Sequence, residues 1–292
     1  MSQAFFQIAV RAADAAEAER LLAEAYAAGA SGCEERESEG SGKWWLLYVA
    51  ADRAAAVGEA LRAAGVDSEI GAPEPVSDED WTTRWREGLE ALVISPRLVV
   101  RPPFVAHAAG PGQATVVIEP GQAFGTGEHE STRLALELLD AWLPQVGPSA
   151  RVLDVGTGSG VLAIAAVKLG ARKALGFDLD PVATAAAQDN ARANQVEADV
   201  EILTGGIEDV APGAFELVVA NLLRREIEPI LAATAERVAP SGATILTGLL
   251  EADGPALALG LAGCGLAIAE ERLRRDSRGE RWLGLVARRP AG

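Results

Sequence analysis

One stretch limits the fold of this chain more than any other. It is Val152-Leu153-Asp154-Val155-Gly156-Thr157-Gly158-Ser159-Gly160, followed by Gly176-Phe177-Asp178-Leu179-Asp180. An apolar run that ends in glycines and resumes as an apolar helical segment reads as buried strand, tight turn and helix. The second stretch reads as the next parallel strand, ending in carboxylates. Together they make one nucleotide-binding half of a doubly wound α/β sheet.

Gly156 and Gly158 allow backbone to approach a ligand closely, because no Cβ intervenes. The helix opening near Val161 points its N-terminal amides at the same place. Asp178 follows at the ~20-residue spacing where a carboxylate accepts hydrogen bonds from both hydroxyls of a ribose. The same carboxylate repels a 2′-phosphate, which argues against NADP. No lysine occupies the position a P-loop needs, which argues against nucleoside triphosphates. The third glycine stands at 160, and 161 is valine, so the pyrophosphate fingerprint is broken. A glycine turn with a ribose acid but no such fingerprint fits S-adenosylmethionine better than NAD. The reading without a ligand is a plain strand–turn–helix packing joint.

Charge narrows the partners. With 26 Lys and Arg against 42 Asp and Glu, the net charge is −16. Direct nucleic-acid binding is not expected, because phosphate contacts need clustered cations. Acidity suits a basic protein partner through steering, or simply keeps the chain soluble. Cys33 and Cys264 match no metal-ligand spacing and are expected to be buried or inert thiols of a reducing compartment. With only His107 and His129, no histidine-rich metal site is expected. No apolar run reaches the roughly 18 residues of a membrane span, and no basic segment precedes a signal-like core. A cytoplasmic monomer is the expectation.

The first 72 residues read as a separate small domain. Ala4 to Arg11 and Lys43 to Ala50 are strands, and Cys33 to Glu39 is an exposed one. Helices run from Asp14 to Ala28 and from Asp52 to Ala64, capped by the aspartates and stopped by Gly29 and Gly65. With a last strand at Val66 to Ile70, the order β-α-β-β-α-β implies a ferredoxin-like α+β fold. Trp44 and Trp45 point to opposite faces, as core packing or as an exposed binding anchor. Residues 73–92 read as a linker carrying a short helix, Asp78 to Gly88, on which Trp81 and Trp85 share a face. From 93 to 292, strands alternate with helices, as a doubly wound sheet requires; among them are a helix from Glu226 to Val238, a strand from Ala243 to Thr247 and a closing antiparallel pair, Leu266 to Arg272 with Arg281 to Ala287.

Upstream of the glycine turn lies a second glycine-rich segment, from Glu119 through Ala123-Phe124-Gly125-Thr126-Gly127 to Thr132, at the start of a helix. That loop, the LDVGTGSGVLAIAAVKLGA stretch, GFDLDP, DNARAN and VVANLL together resemble the PrmA family. DWTTRWREG and the small N-terminal domain extend the resemblance over nearly the whole chain. It implies a Rossmann-like class I methyltransferase sheet. It also implies methylation of lysine amines, with the N-terminal amine as a further candidate, on a large-subunit ribosomal protein, the eleventh in the standard naming, with S-adenosylmethionine as donor. By the same resemblance Thr132 contacts the cofactor, Gly156 and Gly158 form its turn, Asp178 holds its ribose, and Asn221 lies beside the transferring methyl. One departure is visible. The family reads Thr-His-Pro-Thr-Thr where this chain has Glu128-His129-Glu130-Ser131-Thr132, which adds two carboxylates. His129 as a proton acceptor, Glu251 as an amine ligand and Gly205 to Glu208 as an adenine edge are further candidates. Methylation of another protein or a small amine, or cofactor binding without turnover, remains open on the residues alone.

Overall fold

A computed structural model of the protein describes residues 5–12, 15–37, 43–64, 69–75, 89–120, 129–147, 149–212, 215–277 and 279–290. Asp14, Gly40 to Gly42, Gly65, Trp81, Trp85 and the Ala123 to Glu128 loop lie outside these residues. The chain divides into two compact units, residues 1–89 and 90–292.

In the first unit, β1 (Phe5–Arg11), α1 (Ala15–Ala28), β2 (Ala30–Glu37), β3 (Lys43–Ala50), α2 (Ala54–Ala64), β4 (Glu69–Ile70) and β5 (Glu74–Pro75) follow in order. The strands lie β2-β3-β1-β4, every pair antiparallel, with β5 also on β1. Such an order places α1 and α2 on one face. There Leu21, Ala25, Val57 and Leu61 meet Ile8, Val10, Leu47 and Val49. Alternation along β1 and β3 selects which residues reach that core. Gly29, at φ +110°, turns the chain out of α1, as its position after the helix predicts. Strand pairing runs past residue 72, because Glu74–Pro75 pairs with Phe6–Gln7, and a proline is tolerated there on a short edge strand.

Two expectations are corrected in this unit. Asp52 does not cap α2: Arg53 N–H donates to the Ala50 carbonyl at 2.9 Å, and the Arg53 carbonyl accepts from Val57 N–H at 3.0 Å. Arg53 thus occupies the cap position and Asp52 is left in the preceding turn. Of the two states expected for Cys33, buried or inert, burial is ruled out: the thiol is exposed, because β2 is the edge of the sheet. Trp44 is half-buried, with the Arg11 guanidinium 5.7 Å from its ring centroid, and Trp45 packs against the core.

The second unit opens with a three-stranded sheet, β6 (Leu92–Ser95), β7 (Leu98–Arg101) and β8 (Ala114–Val117). Then come α3 (Glu130–Val146), β9 (Arg151–Val155), α4 (Val161–Lys168), β10 (Lys173–Asp178), α5 (Pro181–Ala193) and β11 (Val200–Thr204). The chain continues through β12 (Phe215–Asn221), α6 (Arg224–Ile227), α7 (Leu231–Arg237), β13 (Val238–Leu250), α8 (Gly254–Gly263), β14 (Ala267–Arg275) and β15 (Arg281–Arg288). Seven strands lie in the order β11-β10-β9-β12-β13-β15-β14. The first five are parallel, and β15 inserts antiparallel between β13 and β14.

The order reverses at β9, which pairs with both β10 and β12, so a crevice opens at the carboxyl ends of these strands. Central strands buried on both faces read as continuous apolar runs, as β9 and β12 do. Val152, Leu217 and Ile245 face α3 and α4, while Leu153, Val218 and Leu246 face α7 and α8. Asp180 caps α5 by accepting from Val182 N–H at 2.8 Å, with Pro181 in the first turn. Asn190 and Asn194, from the DNARAN stretch, tie distant segments together. Asn190 accepts from Glu119 N–H at 3.0 Å and donates to the Ser159 carbonyl at 2.9 Å, and Asn194 accepts from Val117 N–H at 2.8 Å. These bonds fix the strand before the second glycine-rich segment against the glycine turn.

Candidate active site

At the carboxyl edge of β9, β10, β12 and β13 lies a cavity of about 340 Å³. Thr132, Gly156, Gly158, Asp178 and Asn221 all line it. They come from four separate points in the sequence, and only the sheet order brings them together.

The glycine turn has the left-handed backbone that these residues permit, with φ +68° at Gly156, +53° at Gly158 and +81° at Gly160. A Cβ on Gly156 would stand 2.6 Å from Leu222 Cδ2, inside the cavity wall. Gly158 N–H donates to one Asp178 oxygen at 3.0 Å, and Asp180 N–H donates to the other at 3.1 Å. Both oxygens are thus held in place, and each keeps a second lone pair for a diol. Asn221 ends β12 with its side chain clamped: its Nδ2 donates to Thr132 Oγ1 at 3.0 Å, and its Oδ1 accepts from Thr247 Oγ1 at 3.0 Å. Both threonines are essentially fully buried. An amide held between two buried hydroxyls is preorganised and presents its remaining lone pair in a set direction.

Beneath the turn, Asp154 is completely buried. One oxygen accepts from Thr157 Oγ1 at 2.7 Å and Ala163 N–H at 3.1 Å, and the other has no partner. Burial raises its pKa from 3.8 to about 6; the two hydrogen bonds oppose the rise and the nearby Asp178 charge adds to it. The neutral acid is therefore favoured by folding, and stability from this group is lost as pH climbs from 3.8 to about 6. Urea unfolding of wild type relative to Asp154→Asn is expected to show a fall of roughly 2 kcal/mol between pH 4.5 and 7.5. Parallel profiles for the two proteins would contradict the assignment.

His129 caps α3: its Nδ1 accepts from Ser131 N–H and lies 2.8 Å from Ser131 Oγ. Its ring meets Trp282 edge to face, with centroids 4.5 Å apart. Glu130 pairs with Arg274, which also reaches Glu137 at 2.6 Å, so one of the two carboxylates by which the loop departs from the family shares a cationic partner, and the other, Glu128, lies outside the described residues. Glu251 pairs with Arg281 and does not line the cavity. Gly205 to Glu208 do not line it either, although Gly205 N–H binds the Asp178 carbonyl at 3.0 Å. Sequence reasoning passed over Thr247, Gly248, Glu226 and Trp282. Of these, only Gly248 carried a signal, as a glycine directly after an apolar strand.

The residues present suit S-adenosylmethionine. The lining offers a carboxylate for a diol, open backbone at the turn, and apolar walls from Val161, Leu162 and Leu222. Among the described lining residues are Asp178 and Glu226 but no Lys or Arg. That charge suits a sulfonium and not a pyrophosphate. The cavity accordingly has the lining of an S-adenosylmethionine-binding site, placed where a doubly wound sheet binds its ligand.

The chain belongs to the PrmA family, whose model, described as ribosomal protein L11 methyltransferase, matches residues 46–276. The ribosomal protein L11 methyltransferase of Geobacter metallireducens is 42% identical over 193 residues, 66% of this chain and 62% of that relative. The corresponding protein of Thermus thermophilus is 43% identical over 199 residues, 68% of this chain and 75% of its own length. The crystal structure of the ribosomal protein L11 methylase of Lactobacillus delbrueckii subsp. bulgaricus superposes with a TM-score of 0.60 at 30% identity. That match covers 69% of this chain and 100% of the other. Among the described residues, no helix is long and apolar enough to cross a membrane.

Proposed function

We propose that the protein methylates lysine side-chain amines of ribosomal protein L11, in the cytoplasm and as a monomer. In this reading residues 1–72 capture the substrate, and residues 93–292 carry out the transfer. The carrying observation is the clamped Asn221 amide in the cavity. Names of relatives supply the substrate, and a net charge of −16 suits a basic protein.

S-adenosylmethionine, when bound, supplies a methyl group already activated on a sulfonium. What remains for the chain is to bind, align and desolvate. Gly156, Gly158, Asp178 and Thr132 are assigned to the cofactor, and Asn221 to both cofactor and amine. A lysine amine has a pKa of about 10.4 and must have shed its proton by the moment of attack; an apolar wall and an adjacent positive charge both favour the neutral form. Asn221 Oδ1, already accepting from Thr247, uses its second lone pair to hold an amine N–H and aim the nitrogen. The amine proton passes to water. His129 is engaged as a helix cap, and the reaction requires no general base from it.

Asp178→Ala is expected to weaken S-adenosylmethionine binding roughly 10- to 100-fold, the worth of a charge-assisted hydrogen bond. Calorimetric titration measures it, and unchanged affinity removes Asp178 from the ribose. The substrate is tested by incubating purified L11 with the protein and S-adenosylmethionine and mapping the product by peptide mass spectrometry. Methyl groups on lysine nitrogens support the reading. Unmodified L11 beside a methylated unrelated protein or small amine replaces it.

A further inference from the structure

The residues assigned to the cofactor occupy only part of the cavity. Gly156 and Gly158 follow β9, Asp178 ends β10 and Asn221 ends β12. Neighbouring strands lie ~4.8 Å apart. In the order β10-β9-β12-β13-β15, Asn221 is two strands from Asp178, and β15 is two strands beyond Asn221. The β13–β15 end is therefore left for the acceptor amine. Its lining includes Trp282 from β15 and, against that ring, His129 from the start of α3.

Two features there exceed what packing requires. The Trp282 and His129 rings stand at an interplanar angle of 79° with centroids 4.5 Å apart, forming a corner of two aromatic planes. Each ring is fixed from behind: Trp282 Nε1 donates to Asp276 at 3.3 Å, and His129 Nδ1 is bound to Ser131. Aromatic faces at right angles attract cationic ammonium groups, and methylated ones desolvate into such corners at little cost. Glu226, on α6 just after β12, adds a carboxylate to the same cavity and is held by Leu223 N–H at 3.0 Å.

We propose that Trp282, cornered against His129, is the binding residue for the acceptor amine and retains it between successive methylations, so that it sets how many methyl groups are added. This rests on the lysine methyltransferase reading, and the test separates the two. The indole N–H signal of Trp282, identified by its loss in Trp282→Phe, is followed by NMR in protein saturated with S-adenosylhomocysteine. The probes are Nα-acetyl-lysine methyl ester and its Nε-trimethyl form. A saturable shift, tighter for the trimethyl form, is expected. In parallel, Trp282→Ala is expected to raise KM for L11 roughly ten-fold and to shift the product toward fewer methyl groups. Cofactor affinity should stay within about two-fold, and Trp282→Phe should recover most of the loss.

An unmoved indole signal overturns the proposal, and so does an unaltered product distribution in Trp282→Ala. A parallel loss of cofactor affinity also overturns it, by placing Trp282 on the donor side. If both probes move the signal while L11 is never methylated, the amine site stands and the assigned substrate is wrong.

Discussion

Asn221→Ala is expected to lower the rate of methyl transfer by roughly 100-fold or more while changing cofactor affinity by less than ten-fold. The magnitude is that of removing one preorganised polar group, or of a misplacement of about 1 Å, at a reacting centre. The split follows from the geometry. Asn221 is held by Thr132 and Thr247 at 3.0 Å each, so its amide is fixed before any ligand arrives. Asp178 and the glycine turn, which line the cavity elsewhere, are left intact. Truncation also strands two buried hydroxyls, at a cost of about 1–3 kcal/mol in stability. Single-turnover rates at saturating cofactor, with calorimetry and a melting curve, separate the three effects. Undiminished transfer removes Asn221 from the reaction.

Gly248→Ala is expected to be the most damaging small substitution in the second unit. Gly248 has φ +81°, and a Cβ there would stand 2.5 Å from the Leu222 carbonyl oxygen and 2.8 Å from the Leu222 carbonyl carbon and nitrogen. These are backbone atoms, so no side chain can swing aside. Leu222 N–H is meanwhile bound to the Thr247 carbonyl at 3.1 Å, which ties the two segments that a methyl would force apart. Left-handed strain costs about 1–2 kcal/mol and overpacking another 1–3. Gly112 is the control: its φ is +74°, but a Cβ meets nothing within 4 Å, so Gly112→Ala should show the strain alone. Denaturant unfolding of both variants is expected to place Gly248→Ala roughly 2 kcal/mol or more below Gly112→Ala. Equal losses would mean that the strand after Asn221 has room to move.

What the sequence disclosed and what it hid have physical reasons. The glycine turn, Asp178 and the Asp180–Pro181 helix start are set by local backbone chemistry, which a few consecutive residues determine. Elements that depend on distant partners were harder to read. β13 is 13 residues long, Val238–Leu250, but only Ala243 to Thr247 were legible as strand. Pro240 and Gly242 interrupt the pattern, and β12 pairs on either side of them, Phe215 with Val238 and Leu217 with Ala243, so the strand bulges past both. Gly242 permits this because a Cβ would lie 2.9 Å from the Glu216 carbonyl oxygen. The helix expected from Glu226 to Val238 is interrupted by a 3₁₀ turn at Glu228–Ile230, where Pro229 lacks an N–H donor. β6 is four residues long, too short to leave a period. The strand containing Trp282 was legible, but its place at the cavity depends on β15 entering between β13 and β14, a long-range fact. Thr247 was hidden likewise, because a threonine ending a strand gives no sign that it will meet an asparagine 26 residues earlier.

The central claim is that this cavity moves a methyl group from S-adenosylmethionine to a lysine of one ribosomal protein. Its most direct test is to incubate the protein with the full set of large-subunit ribosomal proteins and S-adenosylmethionine carrying an isotope-labelled methyl group, then weigh each intact protein. The account predicts label on L11, on lysine nitrogens, with Asn221→Ala leaving L11 nearly unlabelled. A set of ribosomal proteins left without label by enzyme that binds the cofactor, or label spread evenly over every lysine-rich member, would contradict it.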